Sequence, residues 1–190
     1  MIRGLAEAGR VFKNDQYTAA ATKAADFILS KARDSEGRLQ RAYAGGQAKV
    51  PAYLDDYAFL IEGLIALHRT TGDQRWLRSA GELMEAQIPL FADERVGGFF
   101  YTSTLHEELI ARSKLSTDTV TPSGNTVSAL NLLQLAGPLE RPQYVSRAEK
   151  CIQSVTPILL EQPAVVVELG VAISAWLDLT GKADAPAGEK

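Results

Sequence analysis

Three stretches of this chain are apolar on nearly every side at helical spacing, three others are apolar on one side only, and the two kinds alternate. Ala58, Phe59, Leu60, Ile61, Gly63, Leu64, Ile65, Ala66 and Leu67 leave few polar positions, and Thr126 to Ala136 and Val165 to Leu179 read the same way. A helix apolar all round must be covered on most of its sides. The segments between them supply the covers. Trp76, Leu77, Ala80, Leu83, Met84, Ile88 and Phe91 follow the i, i+3, i+4, i+7 rule, with Arg75, Arg78, Glu82 and Glu85 on the other side. Tyr17 to Lys31 is amphipathic through Tyr17, Ala20, Ala21, Ala24 and Ile28, and Tyr144 to Leu160 through Val145, Ala148, Ile152, Val155 and Leu159. A short apolar helix leads at the N-terminus.

The amphipathic members align with one another. Tyr17, Trp76 and Tyr144 each stand four residues before an alanine, Ala21, Ala80 and Ala148. This is a degenerate repeat of helical hairpins. Two concentric layers, apolar helices inside and amphipathic ones outside, satisfy the covering rule. The fold class expected is therefore all-α, a partial (α/α) toroid of about seven helices; an irregular all-α bundle is the alternative. Residues 1–181 are expected to form one domain and 182–190 a flexible tail.

Two long connections do not read as helix. "GRLQRAYAGGQAKVPAYL" places short extended runs around Gly45-Gly46, a turn-forming pair. "GGFFYTSTLHEELIAR" has Phe99, Phe100 and Tyr101, a polar turn, then Leu109 and Ile110. Both are expected to be small β-hairpins leading to the start of an apolar helix. Long connections are where function concentrates.

Composition narrows the function classes. The 190 residues carry 20 basic and 23 acidic side chains, a formal charge of −3, so no basic patch points to nucleic acid or an anionic membrane. No apolar run approaches 18 residues, and the N-terminus lacks a signal-peptide pattern. Cys151 is the one cysteine, read as core filler; a reducing, cytoplasmic setting is the default. Neither a cofactor nor a metal is expected. His106, Glu107 and Glu108 have no second histidine close in sequence, and His68 suits the C-terminal end of a helix.

Two motifs carry candidate chemistry. In "YLDDYAFL", Asp55 and Asp56 open an apolar helix; one serves as N-cap and complements the helix dipole, while the other can face a cleft with Tyr57 as a general acid or base. In "TPSGN", Thr121 can cap and Pro122 suits the first helical position. Ser123, Gly124 and Asn125 then leave first-turn N–H groups open to a ligand, with Asp118 three residues before the turn. Each motif also reads as a helix start, the first one more so. Arg112 and Lys114 could bind an anion, though such residues are more often solvated.

"LDDYAFLIEGLIALHRTTGDQRWL", "GGFFYTSTLHEELIARSK" and "DTVTPSGNTVSALNLLQLA", in that order, resemble the C-terminal region of the YyaL-type thioredoxin-domain-containing protein family, related to the animal spermatogenesis-associated thioredoxin-like proteins. The resemblance covers Ile2 to about Thr180. It implies a toroid similar to six-hairpin glycosidases and sugar epimerases. It also implies that the chain corresponds to the last half of that ring, without the thioredoxin-like domain. Thr119-Val120 stands where the family usually has Gly-Ala, and Ser113 where it has proline, which alters the backbone before the TPSGN turn.

The resemblance implies a carbohydrate-type site at the inner-helix mouths, at positions Asp55, Asp56, Tyr57, Asp118, Ser123 and Asn125. Asp56 and Asp118 are the catalytic candidates, because a glycosidase pairs two carboxylates roughly 5–10 Å apart. Asp55, Tyr57, Ser123 and Asn125 are the ligand-binding candidates. The expected partner is a small-molecule sugar. The competing expectation is a non-catalytic helical scaffold that self-associates or pairs with the missing toroid half, because half a ring leaves apolar faces uncovered at about 25 cal/mol per Å². Redox chemistry ranks last, since a single cysteine cannot cycle as an intrachain dithiol.

Overall fold

The computed structural model describes residues 1–107 and 110–182. Within them lie seven α-helices: α1 (Ile2–Phe12), α2 (Asp15–Lys31), α3 (Leu54–Thr71), α4 (Gln74–Phe91), α5 (Gly124–Ala136), α6 (Gln143–Glu161) and α7 (Val167–Thr180). Strands β1 (Gln40–Ala44) and β2 (Gln47–Pro51) pair antiparallel between α2 and α3. The helix order is the one the alternation predicts. The expected tail falls almost wholly on residues 183–190, and Glu108 and Leu109 of the second connection also lie outside the described residues.

The chain forms two compact units. The first holds residues 1–93 and 99–114; the second holds residues 94–98 and those from Leu115 onward.

In the first unit α3 is the central helix. It packs against α1, α2 and α4 and buries ten of its residues, Leu54 to Leu67. Gly63 lets α1 come close: a Cβ there would lie 3.1 Å from the Ile2 side chain. α3 ends at Gly72, whose positive φ of 70° closes the turn onto the His68 carbonyl. Asp73 then caps α4, accepting the Arg75 N–H at 2.9 Å, as the sequence predicts. α4 buries the expected face, including Trp76, Ala80, Leu83, Met84 and Phe91.

α2 differs from expectation. Ala21 and Ala25 are buried, but Tyr17 is 41% exposed. The cause is the tight contact with α1, where a Cβ on Gly9 would lie 2.2 Å from Thr18 Oγ1. An approach that close admits only small side chains, so the buried face rotates toward Thr18, Ala21 and Ala25. The aromatic-to-alanine repeat therefore holds for Trp76 and Tyr144, both buried, and fails at Tyr17.

The first connection is the expected hairpin, with Gly45 and Gly46 at φ 58° and 78°, as a two-residue primed turn requires. The second is not a hairpin among the described residues; it shows one isolated bridge, Ala92 to Phe99. Its donors go to the end of α4 instead. Phe100 N–H donates to Phe91 O at 2.8 Å and Thr104 N–H to Leu90 O at 3.0 Å. The unsatisfied carbonyls of a helix C-terminus outbid self-pairing. Arg112 completes the strap, donating to Leu90 O and Thr102 O while its guanidinium lies 4.4 Å from the Phe100 ring centre. Lys114 pairs with Asp93 at 2.7 Å. These two cations, candidates for anion binding, act here as ties.

In the second unit α5 packs against α6 and α7 and is buried at 12 of its 13 positions. α6 buries Tyr144, Ala148, Cys151, Ile152 and Val155. α7, expected to be covered all round, buries only Leu169 and Ala172. Within its unit it has α5 and α6 as neighbours, which cover one side and leave Val167, Val171 and Leu179 exposed.

Candidate functional site

The head of α3 contributes side chains to two concave surfaces of the first unit. The chain enters this helix through Tyr53, its N-cap residue, in extended conformation. Neither aspartate of the "LDDY" motif is the cap. Asp56 sits at the third helical position and reaches back, accepting the Tyr53 N–H at 2.9 Å. The same oxygen, Oδ2, accepts from Arg41 Nη1 of β1 at 3.2 Å. Arg41 in turn lies over the Tyr53 ring, 4.8 Å from its centre. Asp56 beside it raises the Arg41 guanidinium pKa further above its ordinary value.

A pocket of about 250 Å³ opens on one side of this group. Asp55, Asp56, Arg41, Gln40 and Phe59 line it, over an apolar floor that includes Leu39 and Leu60. A separate cleft of about 480 Å³ also includes Tyr53 and is lined further by Pro51, Thr102, Leu105, His106 and Glu107. Aromatic rings tier along the cleft. Tyr53 stacks on Tyr101 at 4.9 Å and meets the His106 ring at 4.5 Å. His106 Nδ1 accepts the Ser103 N–H at 3.1 Å and lies 2.8 Å from Ser103 Oγ. An accepting Nδ1 places the proton of the neutral ring on Nε2. Nε2 and the Thr102 hydroxyl are both buried without a hydrogen-bond partner.

Tyr57, on the same helical turn as Asp56, points elsewhere. Its hydroxyl accepts the Leu39 N–H at 2.8 Å and its ring meets Phe91 edge-on at 5.4 Å. Burial pushes its phenol above the ordinary value of 10.0.

The other predicted residues belong to the second unit. The cap of α5 is Ser123, not Thr121: Ser123 is extended (φ −67°, ψ 141°) and its Oγ accepts the Thr126 N–H at 3.2 Å. Pro122 precedes the cap and has no N–H to offer it. Asp118 accepts the Ser123 N–H on one oxygen at 2.9 Å and the Glu168 N–H on the other at 3.0 Å. Asn125 is fully buried. Its amide donates to Leu115 O at 3.4 Å, and Cys151 Sγ lies 3.3 Å from its backbone oxygen. The Cys151 reading as core filler matches this setting, in a buried contact with α5.

So the structure brings Asp55 and Asp56 to one pocket, sends Tyr57 into the core, and joins Asp118 to Ser123. Sequence reasoning missed Arg41, Tyr53, Tyr101 and His106 as members of the α3 site. The one available signal was position: the Gly-Gly hairpin and the GGFFY segment both lead to this helix start. Among the described residues no three His, Cys, Asp or Glu side chains group as a metal site, and no helix is long and apolar enough to cross a membrane.

No protein-family model matches the chain. It is 34% identical over 185 residues to spermatogenesis-associated protein 20 of Rattus norvegicus, a match covering 92% of this chain and 23% of that protein. The human protein of the same name is 31% identical over 185 residues. The chain spans about a quarter of the length of the curated relatives it matches. Among solved structures it resembles the cellobiose 2-epimerase of Spirochaeta thermophila, with a TM-score of 0.67 at 17% identity over 98% of this chain and 53% of that one. It also resembles a GH76 α-mannanase of Bacteroides thetaiotaomicron, with a TM-score of 0.70 at 15% identity over 95% of this chain and 51% of that one. At that identity the likeness is one of fold: the chain has the helical-hairpin fold of the (α/α) toroids. By sequence, the chain is a homologue of spermatogenesis-associated protein 20, of the thioredoxin-domain family, over about a quarter of that protein's length.

Proposed function

We propose that the chain carries a sugar-binding site at the head of α3, and that the bound sugar is neutral. One observation carries this reading: Asp55, Asp56, Arg41 and Gln40 converge with Phe59 on a single small pocket. Carboxylate, guanidinium and amide groups suit hydroxyls, which both donate and accept. The aromatic ring and apolar floor suit the C–H faces of a sugar ring. At about 250 Å³ the pocket lies near the lower end for ligand sites, roughly 300–1,000 Å³, so it suits one sugar unit. Two carboxylates against one guanidinium disfavour an anionic sugar. The epimerase and mannanase among the neighbours act on carbohydrates by name, which favours the same ligand class here.

The residues divide by role. Asp56 is held by Arg41 and the Tyr53 N–H, so it is the positioned carboxylate. Asp55 is its neighbour in the pocket and the group assigned to exchange hydrogen bonds or a proton with a hydroxyl. Asp118, with a backbone N–H on each oxygen, is assigned to holding the heads of α5 and α7. The second reading, a helical scaffold without catalysis, is favoured by the exposed side of α7 and is compatible with sugar binding.

The test is ligand-observed NMR with glucose, mannose, cellobiose and mannobiose, with glucuronate as the anionic control. Neutral sugars should bind, glucuronate should not, and Asp55→Asn and Asp56→Asn should each weaken binding by about tenfold or more, the loss of one hydrogen bond to a charged acceptor. Neutral sugars that bind equally to wild type and to both variants would place the ligand elsewhere.

A further inference from the structure

We infer that Val50 is a positioning residue of the α3 pocket, its left-handed backbone linked to the seat of Arg41 on Asp56. Val50 lies in β2 with φ at 66°. A β-branched side chain in the left-handed region is a strained outlier. Pro51 adds to the strain, because the residue before a proline favours an extended backbone. Val50 is 51% exposed, so its own burial does not offset this. Backbone in such a state persists where surrounding contacts over-determine it, and such residues gather at ligand sites.

The strained residue falls at the rung of Arg41. The hairpin register pairs Gln40 with Pro51 and Ala42 with Lys49. Arg41 and Val50 stand opposite each other between those pairs and are not partners in the ladder. No residue is inserted, since the register is the same on both sides of the gap. The left-handed residue interrupts the ladder as a β-bulge does, and bulges re-aim side chains beside functional sites. Neighbouring side chains of a regular strand take opposite faces, yet Gln40 and Arg41 both line the pocket.

The chain is pinned on either side of the gap. Ala52 N–H donates to Leu39 O at 3.1 Å on one side, and Ala42 pairs with Lys49 on the other. Within the gap Arg41 donates to Asp56 Oδ2 at 3.2 Å and lies over the Tyr53 ring. These contacts hold the rung open against the preference of Val50 for an extended backbone. Such coupling is reciprocal. Whatever eases the left-handed state at position 50 makes the Arg41 seat firmer, and loss of the seat lets position 50 relax.

A double-mutant cycle on the ligand-free chain tests this by urea unfolding. Val50→Gly admits the left-handed state without strain. It should lower the unfolding equilibrium constant by about tenfold more in the wild-type background than in Arg41→Ala, where the strain is already released. The effect of glycine on the unfolded chain is the same in both backgrounds and cancels. Val50→Asn should show a smaller coupling and Val50→Ile none, because asparagine tolerates the left-handed region and isoleucine does not. Asp56→Asn serves as a second background that weakens the same seat from the other side, and it decides the matter if Arg41→Ala does not fold. Equal effects of Val50→Gly in wild-type and seat-deficient backgrounds overturn the inference. The consequence for a ligand rests on the proposed sugar site: Val50→Gly should bind a neutral monosaccharide about threefold or more tighter, because the seat is organised before binding. Coupling with no sugar bound by any variant keeps the role of Val50 and removes the sugar reading; sugar bound without coupling does the reverse.

Discussion

Asp118 binds the backbone of Glu168, its Oδ2 accepting the Glu168 N–H at 3.0 Å, while its Oδ1 holds Ser123 at 2.9 Å. The Asp118 N–H donates to Val165 O at 2.7 Å. One residue thereby links the starts of α5 and α7, whose first-turn N–H groups have no partner within their own helices. Hydrogen bonds to a charged acceptor contribute about 1.5–3 kcal/mol each. Asp118→Ala should therefore lower the unfolding free energy by about 3 kcal/mol, and Asp118→Asn, which keeps one acceptor oxygen, by about half that. A shift of the urea midpoint at constant slope measures it. Asp118→Ala with an unchanged midpoint would remove the structural role assigned to this residue.

Tyr57 gives a prediction in pH. Its phenol is pushed above the ordinary value of 10.0, first by burial, against the lowering effect of the Leu39 N–H. A raised folded pKa means that the protein holds the neutral form more tightly than the unfolded chain does. The corresponding stability is complete below the unfolded pKa and is lost as pH rises through the folded one. Unfolding free energy should fall above about pH 10, and Tyr57→Phe should remove that part of the alkaline slope. At neutral pH the same variant should cost about 1–3 kcal/mol, because the Leu39 N–H is left buried without its acceptor. Chemical denaturation at stepped pH reads both effects.

The helices were legible because covering is a property of pattern. Ala58 to Leu67 carries one charged residue and Thr126 to Ala136 none, and both lie in helices buried on most sides. What pattern cannot express is how near two backbones come. Gly9 against Thr18 turns Tyr17 outward, a consequence of distance and not of hydropathy. The GGFFY segment reads as a hairpin by its residues, yet the open carbonyls of α4 take its donors. The candidate site was half legible. "DD" at a helix start marks a polar mouth, and Asp55 and Asp56 do line a pocket. Arg41 reaches that pocket through a contact with Asp56 fifteen residues away, a pairing with no local signature. Tyr57 stands beside Asp56 in sequence but lies roughly 100° further round the helix, enough to bury it.

Gly97 and Gly98 test the second unit from its backbone. Their φ values of 90° and 73° are left-handed. A Cβ on Gly97 would lie 2.6 Å from the Lys150 carbonyl oxygen; one on Gly98 would lie 2.8 Å from Ser154 Oγ and 2.9 Å from Asn125 Oδ1. Backbone yields less readily than a serine hydroxyl. Gly97→Ala should therefore destabilise more than Gly98→Ala, with strain of about 1–3 kcal/mol for the dihedral alone in each. Thermal unfolding of the two variants side by side decides the order. Equal small losses would mean that the loop relaxes away from α6.

Asp56 separates binding from folding. Its carboxylate receives the Tyr53 N–H, a helix-capping contact, and also Arg41, a contact across to the hairpin. Asp56→Ala removes both and should cost about 0.5–2 kcal/mol, the usual range for losing a cap. Asp56→Asn keeps a neutral acceptor for Tyr53 while removing the charge that Arg41 faces. It should cost less than about 1 kcal/mol, the ceiling for an exposed ion pair. If the pocket binds sugar through this carboxylate, Asp56→Asn should weaken sugar binding by about tenfold while remaining folded at the temperature of the binding measurement. Arg41→Lys makes the companion measurement. It keeps the positive charge but loses the planar group over Tyr53, so it should weaken binding less than Asp56→Asn does. Titration of a neutral monosaccharide into the three variants, each checked first by thermal melt, ranks them. A ranking in which Arg41→Lys is the most damaged would move the recognition from the carboxylate to the guanidinium.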